Sequence, residues 1–213
     1  MGDMRTNFDH WKNGEYGDPK THYFSDKLRS KGERSKKLYQ LIVSDHNGDL
    51  KAGSRTPRIN EFGCNVGRNL FPFYCAGWEV GGIDLNLESL EQAADLMNEC
   101  LKNFRQQDLF NRVDDLSNIP DNFFDVTFCM GFLMHLPDSV SKKKLVSEMV
   151  RVSKSCYIYE PYGGEEREEN HPNQKGWYLS MLDYEKYGLG LKNHPVEHIL
   201  QNNRDMRIWR ILK

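Results

Sequence analysis

From Pro57 onward, short apolar runs alternate with stretches of helical period. "RINEF" (58–62) predicts a strand ending at Gly63, and "WEVGGID" (78–84) predicts a second. Between them, "RNLFPFYCAG" opens a helix in which Pro72 is tolerated because it falls near the first turn. The clearest helical period has apolar residues at 87, 90, 94, 97, 101 and 104, with Asn86 as N-cap and Glu88 and Glu91 in the positively polarised first turn. "NFRQQD" predicts a short third strand, followed by loop-like sequence. "FFDVTFCMGF" predicts a central strand, since its nearly continuous apolar run suits a strand covered on both faces. A helix over "DSVSKKKLVSEMVRV" turns Leu145, Met149 and Val152 to one side, and "SCYIYEPY" is the fifth strand. "YLSMLDYEKYG" reads as a helix ending at a glycine suited to a C-cap, and closing strands are expected near 191–199 and 206–213. Such βαβ alternation predicts an α/β fold: a doubly wound, seven-stranded, mostly parallel sheet with an antiparallel C-terminal hairpin strand.

The first 50 residues are different. Residues 1–24 interleave aromatics with glycine and charge and have no period, which suits an arm able to close over a site. A helix follows from Ser25 to Ser44, with Leu28, Leu38, Leu41 and Ile42 apolar and Gly32 weakening it. "HNGDLKAGSRTP" is turn chemistry. The expected organisation is an arm and helix over 1–50, acting as a lid or cap, and a main domain over 51–213 that carries an inserted acidic loop at 163–178. A chain of 213 residues is long enough to bury a real core in one such domain.

Charge and cysteine content narrow the function classes. A net charge of -2 gives no field for drawing in phosphate backbones, and no basic patch stands out, so nucleic acid is not an expected partner. No apolar run is long enough to span a bilayer, and the charged N-terminus has no apolar segment of the secretory kind. "MGDMRT" matches the letter of a myristoylation pattern, but one short and loose motif carries little. The five cysteines are scattered, without a C-x-x-C pair, so neither a disulfide framework nor a zinc knuckle is expected; a reducing cytoplasm is the expected location.

The chemistry concentrates at "INEFGCNVGRNL" (59–70). A glycine directly after a strand permits positive φ and close approach of a ligand to the backbone. The nicotinamide and flavin fingerprint G-x-G-x-x-G laid from Gly63 would require glycine at 65 and 68, where the chain has Asn65 and Arg68. Read as E-x-G-x-(G/N)-x-G, the stretch supplies Glu61, Gly63, Asn65 and Gly67. Asparagine adopts left-handed geometry more cheaply than most residues, so Asn65 can stand for the middle glycine.

That stretch resembles motif I of the class I S-adenosylmethionine-dependent methyltransferases, whose fold is Rossmann-like, and later pieces agree in order over residues 57–213. Asp84 lies 21 residues beyond Gly63, at the place of the ribose-binding acid, and "NFFDVTFCMGFLMHLPD" resembles the family's fourth-strand segment. A closer resemblance is to small bacterial methylases associated with pseudaminic acid biosynthesis. Their W-x-x-G-E-(F/Y)-G-D stretch is matched by Trp11, Gly14, Glu15, Tyr16, Gly17 and Asp18. The resemblance implies S-adenosylmethionine as cofactor, with Gly63, Cys64, Asn65 and Gly67 lining its methionine and ribose and Glu61 orienting the turn or the amino group. Asp84 would hold the ribose and Leu85 lie against the adenine. Gln107 and Asp108 are candidates for the adenine edge, with Asp114 and Asp115 as rivals. Met130 and Gly131 would contact the cofactor by backbone, and Trp11 and Tyr16 could close over it.

A methyl acceptor would face residues after the fourth and fifth strands. His135 or Glu160 could accept a proton from a hydroxyl or ammonium nucleophile, and Tyr162 could position it, with His171 nearby in sequence. The bland alternatives are a packed histidine at a helix start and a glutamate that bonds the next loop's backbone. Glu165, Glu166, Glu168 and Glu169 form either an acidic rim or a solvated loop, and Lys142 to Lys144 read as a solvated helix face. "HPVEH" (194–198) fits H-x-x-E-H, but metal binding by that motif needs a helix, and Pro195 argues for a strand. No metal site is expected. "EPY" after the fifth strand sits in the wrong place to be the N-P-P-Y motif of base-amine methylation. The leading expectation is methylation of an O or N atom of a small metabolite or sugar-related acceptor. The alternatives are a peptide or protein methyltransferase, and an inactive cofactor-binding partner subunit.

Overall fold

The computed structural model describes residues 29–46, 55–107, 113–133, 136, 139–162, 196–201 and 204–213. These divide into two compact units, one running to Gln106 and the other from Gln107 onward.

In the first unit, helix α1 spans Arg29–Asp45 and seals its inner side with Leu38 and Ile42, 1% and 0% exposed. Gly32 lies within it. Strand β1 (Arg58–Phe62), helix α2 (Phe71–Cys75), strand β2 (Glu79–Asp84), helix α3 (Leu87–Leu96) and strand β3 (Phe104–Gln106) follow in the expected order. Pro72 occupies the first turn of α2, where its missing N–H costs nothing. β1 and β2 run parallel with Ile59 opposite Val80 and Phe62 opposite Ile83; β2 and β3 run parallel with Asp84 opposite Gln106. An aromatic cluster holds the helices down: the Tyr39 ring meets Phe73 edge-on at 5.0 Å, and Phe73 meets Trp78 at 5.4 Å. Each fully buried Phe, Leu or Ile contributes about 1.5–3 kcal/mol.

Helix α3 is shorter than its apolar period predicts. Asn86 caps it as expected, its side chain accepting the Ser89 N–H at 2.9 Å. The helix stops at Leu96 because Asn98 takes φ 47°, its N–H bonding Asp95 O while the Glu99 N–H reaches Ala94 O at 2.9 Å. That is a Schellman ending with asparagine in the left-handed position. Apolar positions 101 and 104 therefore belong to a 3-10 turn and to β3.

The second unit holds strand β4 (Phe124–Met130), helix α4 (Ser139–Arg151), strand β5 (Ser153–Tyr162) and the hairpin of β6 (Val196–Gln201) and β7 (Arg204–Leu212), with spatial order β4-β5-β7-β6. β4 and β5 are parallel, whereas β5–β7 and β6–β7 are antiparallel. The architecture is thus mixed α/β, mostly parallel with antiparallel C-terminal strands. The centre of β4 is fully covered, as its sequence predicts, with Val126, Phe128 and Cys129 each 0% exposed. Thr127 is satisfied there by Ser153 Oγ at 2.9 Å and Met149 O at 3.1 Å.

Lys142 departs from the solvated face expected of 142–144. It is 1% exposed, while Lys143 and Lys144 are exposed. The long aliphatic stem allows a lysine to fill an inner helix position. The segment after Pro195 is a strand, His198 pairing in register with Arg207. The N-terminal arm, the acidic stretch 163–178 and the helix expected over "YLSMLDYEKYG" lie outside the described residues. Among the described residues no helix is long and apolar enough to cross a membrane.

Candidate functional site

The chain leaves β1 through three left-handed residues at alternate positions: Gly63 (φ 74°), Asn65 (φ 48°) and Gly67 (φ 75°). The Gly63 N–H still pairs with Ile83 O at 2.8 Å, so the turn starts flush with the end of β2. Asn65 substitutes for glycine here by two bonds. Its Oδ1 accepts the Val66 N–H at 2.8 Å, and its own N–H donates to Asp84 Oδ2 at 2.8 Å. The other oxygen of Asp84 accepts the Asn86 N–H at 3.0 Å. A single carboxylate at the tip of β2 therefore joins the glycine turn to the start of α3.

Gly67 is required twice over. Its φ is left-handed, and a Cβ there would run into the Met97 methyl and approach Ala93 Cβ at 3.1 Å. The two glycines inside β2 serve close approach: a Cβ on Gly82 would meet the Cys64 thiol, and one on Gly81 would lie 2.6 Å from Asn103 O. Cys64 is 3% exposed, and burial, with the neighbouring Asp84 and Glu61 charges, pushes its thiol well above the usual range and keeps it neutral.

Glu61 is 0% exposed on β1. Asn69 Nδ2 donates to its Oε1 at 2.6 Å, while Oε2 is buried with no hydrogen-bond partner among the described residues. Burial pushes its carboxyl up to about 8, against the Asn69 bond and the Arg68 charge, with Asp84 adding to the rise. The Asp84 carboxyl is also raised by burial, a rise held back by the N–H groups of Asn86, Asn65 and Leu85. Sequence pattern does not single out Asn69; its signal is its place between the glycine turn and α2, two residues past Gly67. Beside Asp84, Gln106 Nε2 donates to Leu85 O at 3.2 Å, and Gln107 follows β3 half-buried.

In the second unit, Met130 ends β4 and Gly131 turns with φ 62°, its N–H reaching Tyr159 O at 2.8 Å. Glu160, 1% exposed near the end of β5, accepts the N–H groups of Phe132 and Leu133 on Oε1 at 2.8 and 2.9 Å. Tyr162 pairs in register with Asp205 at the strand's end. Structure thus brings Glu61, Gly63, Cys64, Asn65, Gly67, Asp84 and Leu85 together around one turn, and gathers Met130, Gly131 and Glu160 around another. Trp11, Tyr16, Asp108, His135 and His171 lie outside the described residues, as do the side chains of Asp114, Asp115 and Tyr162.

The methyltransferase-domain family model matches residues 60–156, from β1 into β5. That segment, a little under half of the chain, is similar to the methyltransferase domain. Solved structures share the fold. Magnesium protoporphyrin IX methyltransferase from Synechocystis PCC 6803, with bound SAH, superposes with TM-score 0.64 at 19% identity, over 96% of this chain and 93% of that one. A SAM-dependent methyltransferase from Archaeoglobus fulgidus gives 0.56 at 16% identity, over 89% and 99%. The arsenic(III) S-adenosylmethionine methyltransferase of Chlamydomonas reinhardtii gives 0.53 at 18% identity, over 78% and 66%. No curated protein matches the sequence at a significant level. The fold is that of the class I methyltransferases.

Proposed function

We propose that this protein is an S-adenosylmethionine-dependent methyltransferase that methylates an O or N atom of a small metabolite or sugar-related acceptor. The observation that carries the reading is the turn of Gly63, Asn65 and Gly67 tied to the carboxylate of Asp84. Its residues fit the cofactor chemically. Asp84 meets the backbone N–H groups of Asn65, Asn86 and Leu85, and a carboxylate, with about four lone-pair sites, has capacity left for a ribose hydroxyl. The buried Oε2 of Glu61 suits the cationic amino group of the methionyl end.

Bound S-adenosylmethionine supplies an electrophilic methyl group, so the protein has to align the acceptor and exclude water. In this reading the backbone of 63–67 with Asp84 binds the nucleoside, Leu85 and either Gln107 or Asp108 border the adenine, and Met130 and Gly131 add backbone contacts. Trp11 and Tyr16 close the site, while His135 and Tyr162 serve the acceptor. With this function go a single seven-stranded sheet, a cytoplasmic location and kinship with the pseudaminic-acid-associated methylases. A small acceptor is supported by two of the similar enzymes, whose named substrates are a porphyrin and arsenic(III).

Calorimetry with S-adenosylmethionine and S-adenosylhomocysteine tests the cofactor: no heat at millimolar ligand removes the reading. Incubation with methyl-labelled cofactor and cell extract, fractionated by size, tests the acceptor. Label in small molecules supports the proposal, and label in polypeptide alone overturns its acceptor class.

A further inference from the structure

Glu160 stands where a base would be sought, yet its carboxylate is engaged with the backbone. Register places Met130 of β4 opposite Tyr159 of β5, so Glu160 follows the last paired residue and reaches toward the chain as it leaves β4. Gly131 continues the ladder by one bond to Tyr159 O, and its positive φ then redirects the backbone. The next two N–H groups, of Phe132 and Leu133, converge on a single oxygen of Glu160, which the Cys129 thiol also approaches at 3.8 Å. Successive N–H groups aimed at one point form an anion-binding concavity, here filled by the protein's own carboxylate. Leu133 is 0% exposed and Glu160 1%, and Phe132 is half-buried, so the accepting carboxylate lies in the interior.

We infer that Glu160 is a positioning residue: its carboxylate fixes the backbone of Gly131 to Leu133 in the shape that Met130 and Gly131 need to contact the cofactor. This rests on the function proposed above. A proton-accepting role would place the charge at the acceptor, whereas the clamp requires an oxygen at the right reach and tolerates its neutralisation.

Two variants separate reach from charge. E160D keeps the charge and withdraws the oxygen by one methylene; E160Q keeps the reach and removes the charge. Affinity for S-adenosylhomocysteine is measured by calorimetry, and amide hydrogen exchange is followed at Phe132 and Leu133. The expected result is at least a tenfold loss of affinity in E160D with fast exchange at both amides, and E160Q within about threefold of wild type with both amides protected. The inference is overturned if E160D binds as wild type does, or if E160Q loses as much as E160D. A wild-type protein that does not bind S-adenosylhomocysteine removes the proposed function instead, and exchange at the two amides then still decides whether the clamp exists.

Discussion

Asp84 Oδ2 accepts the Asn65 N–H at 2.8 Å, so the acid at the tip of β2 fixes the turn after β1 before any ligand is considered. Asp84→Asn keeps an acceptor but forces one of two backbone N–H groups to face an amide N–H₂. We expect at least a tenfold loss of S-adenosylmethionine affinity by calorimetry, together with a stability loss of about 1–2 kcal/mol in denaturant.

Asn65 holds φ 48° and spends its side chain on the following N–H. Asn65→Gly should therefore be tolerated, with a midpoint near wild type, whereas Asn65→Ala should cost roughly 1–2 kcal/mol because alanine pays for left-handed geometry. Equal urea midpoints for the two variants would contradict the role given to this residue.

Glu61 provides a pH dependence with a definite sign. Its carboxyl is raised from 4.5 to about 8 in the folded protein by burial. The folded state thus retains a proton that the unfolded state loses, and the stability it contributes is full below pH 4.5 and declines until about pH 8. Glu61→Gln keeps an acceptor for Asn69 without a buried charge. Its stability relative to wild type should rise between pH 5 and 8, approximately, by an amount on the order of 1 kcal/mol or more, as read from urea midpoints at each pH.

Arg151, the last residue of α4, ties that helix to the approach to β4. It donates to Ile119 O at 2.8 Å, Leu116 O at 3.1 Å, Asp121 at 2.7 Å and Glu148 at 2.8 Å. Lysine cannot reproduce this fork. Arg151→Lys should destabilise by ~1–2 kcal/mol with unchanged cofactor affinity, measured by thermal unfolding alongside calorimetry.

How far the sequence could be read depended on whether a feature was written locally. The order of β1 to β7, the cap at Asn86 and the left-handed Asn65 are set by neighbouring residues, so period and turn chemistry revealed them. The end of α3 was also local, but the apolar residues beyond Asn98 masked it, since a 3-10 turn and a three-residue strand can carry apolar side chains in the same spacing. Other features depend on distant partners. Asn69 reaches Glu61 across eight positions, and the 28 positions between Phe132 and Glu160 hide the clamp from any pattern. Lys142 looked solvated because its neighbours Lys143 and Lys144 are.

Gly82 in β2 has a further consequence for the thiols. Because Cys64 fills the space that Gly82 leaves, and Cys129 and Cys156 are also buried, only Cys75 and Cys100 are open to reagents. Native protein should take up two equivalents of an alkylating probe at once. The slower uptake of the remaining three then times how often the interior opens, a built-in clock that needs no engineered label.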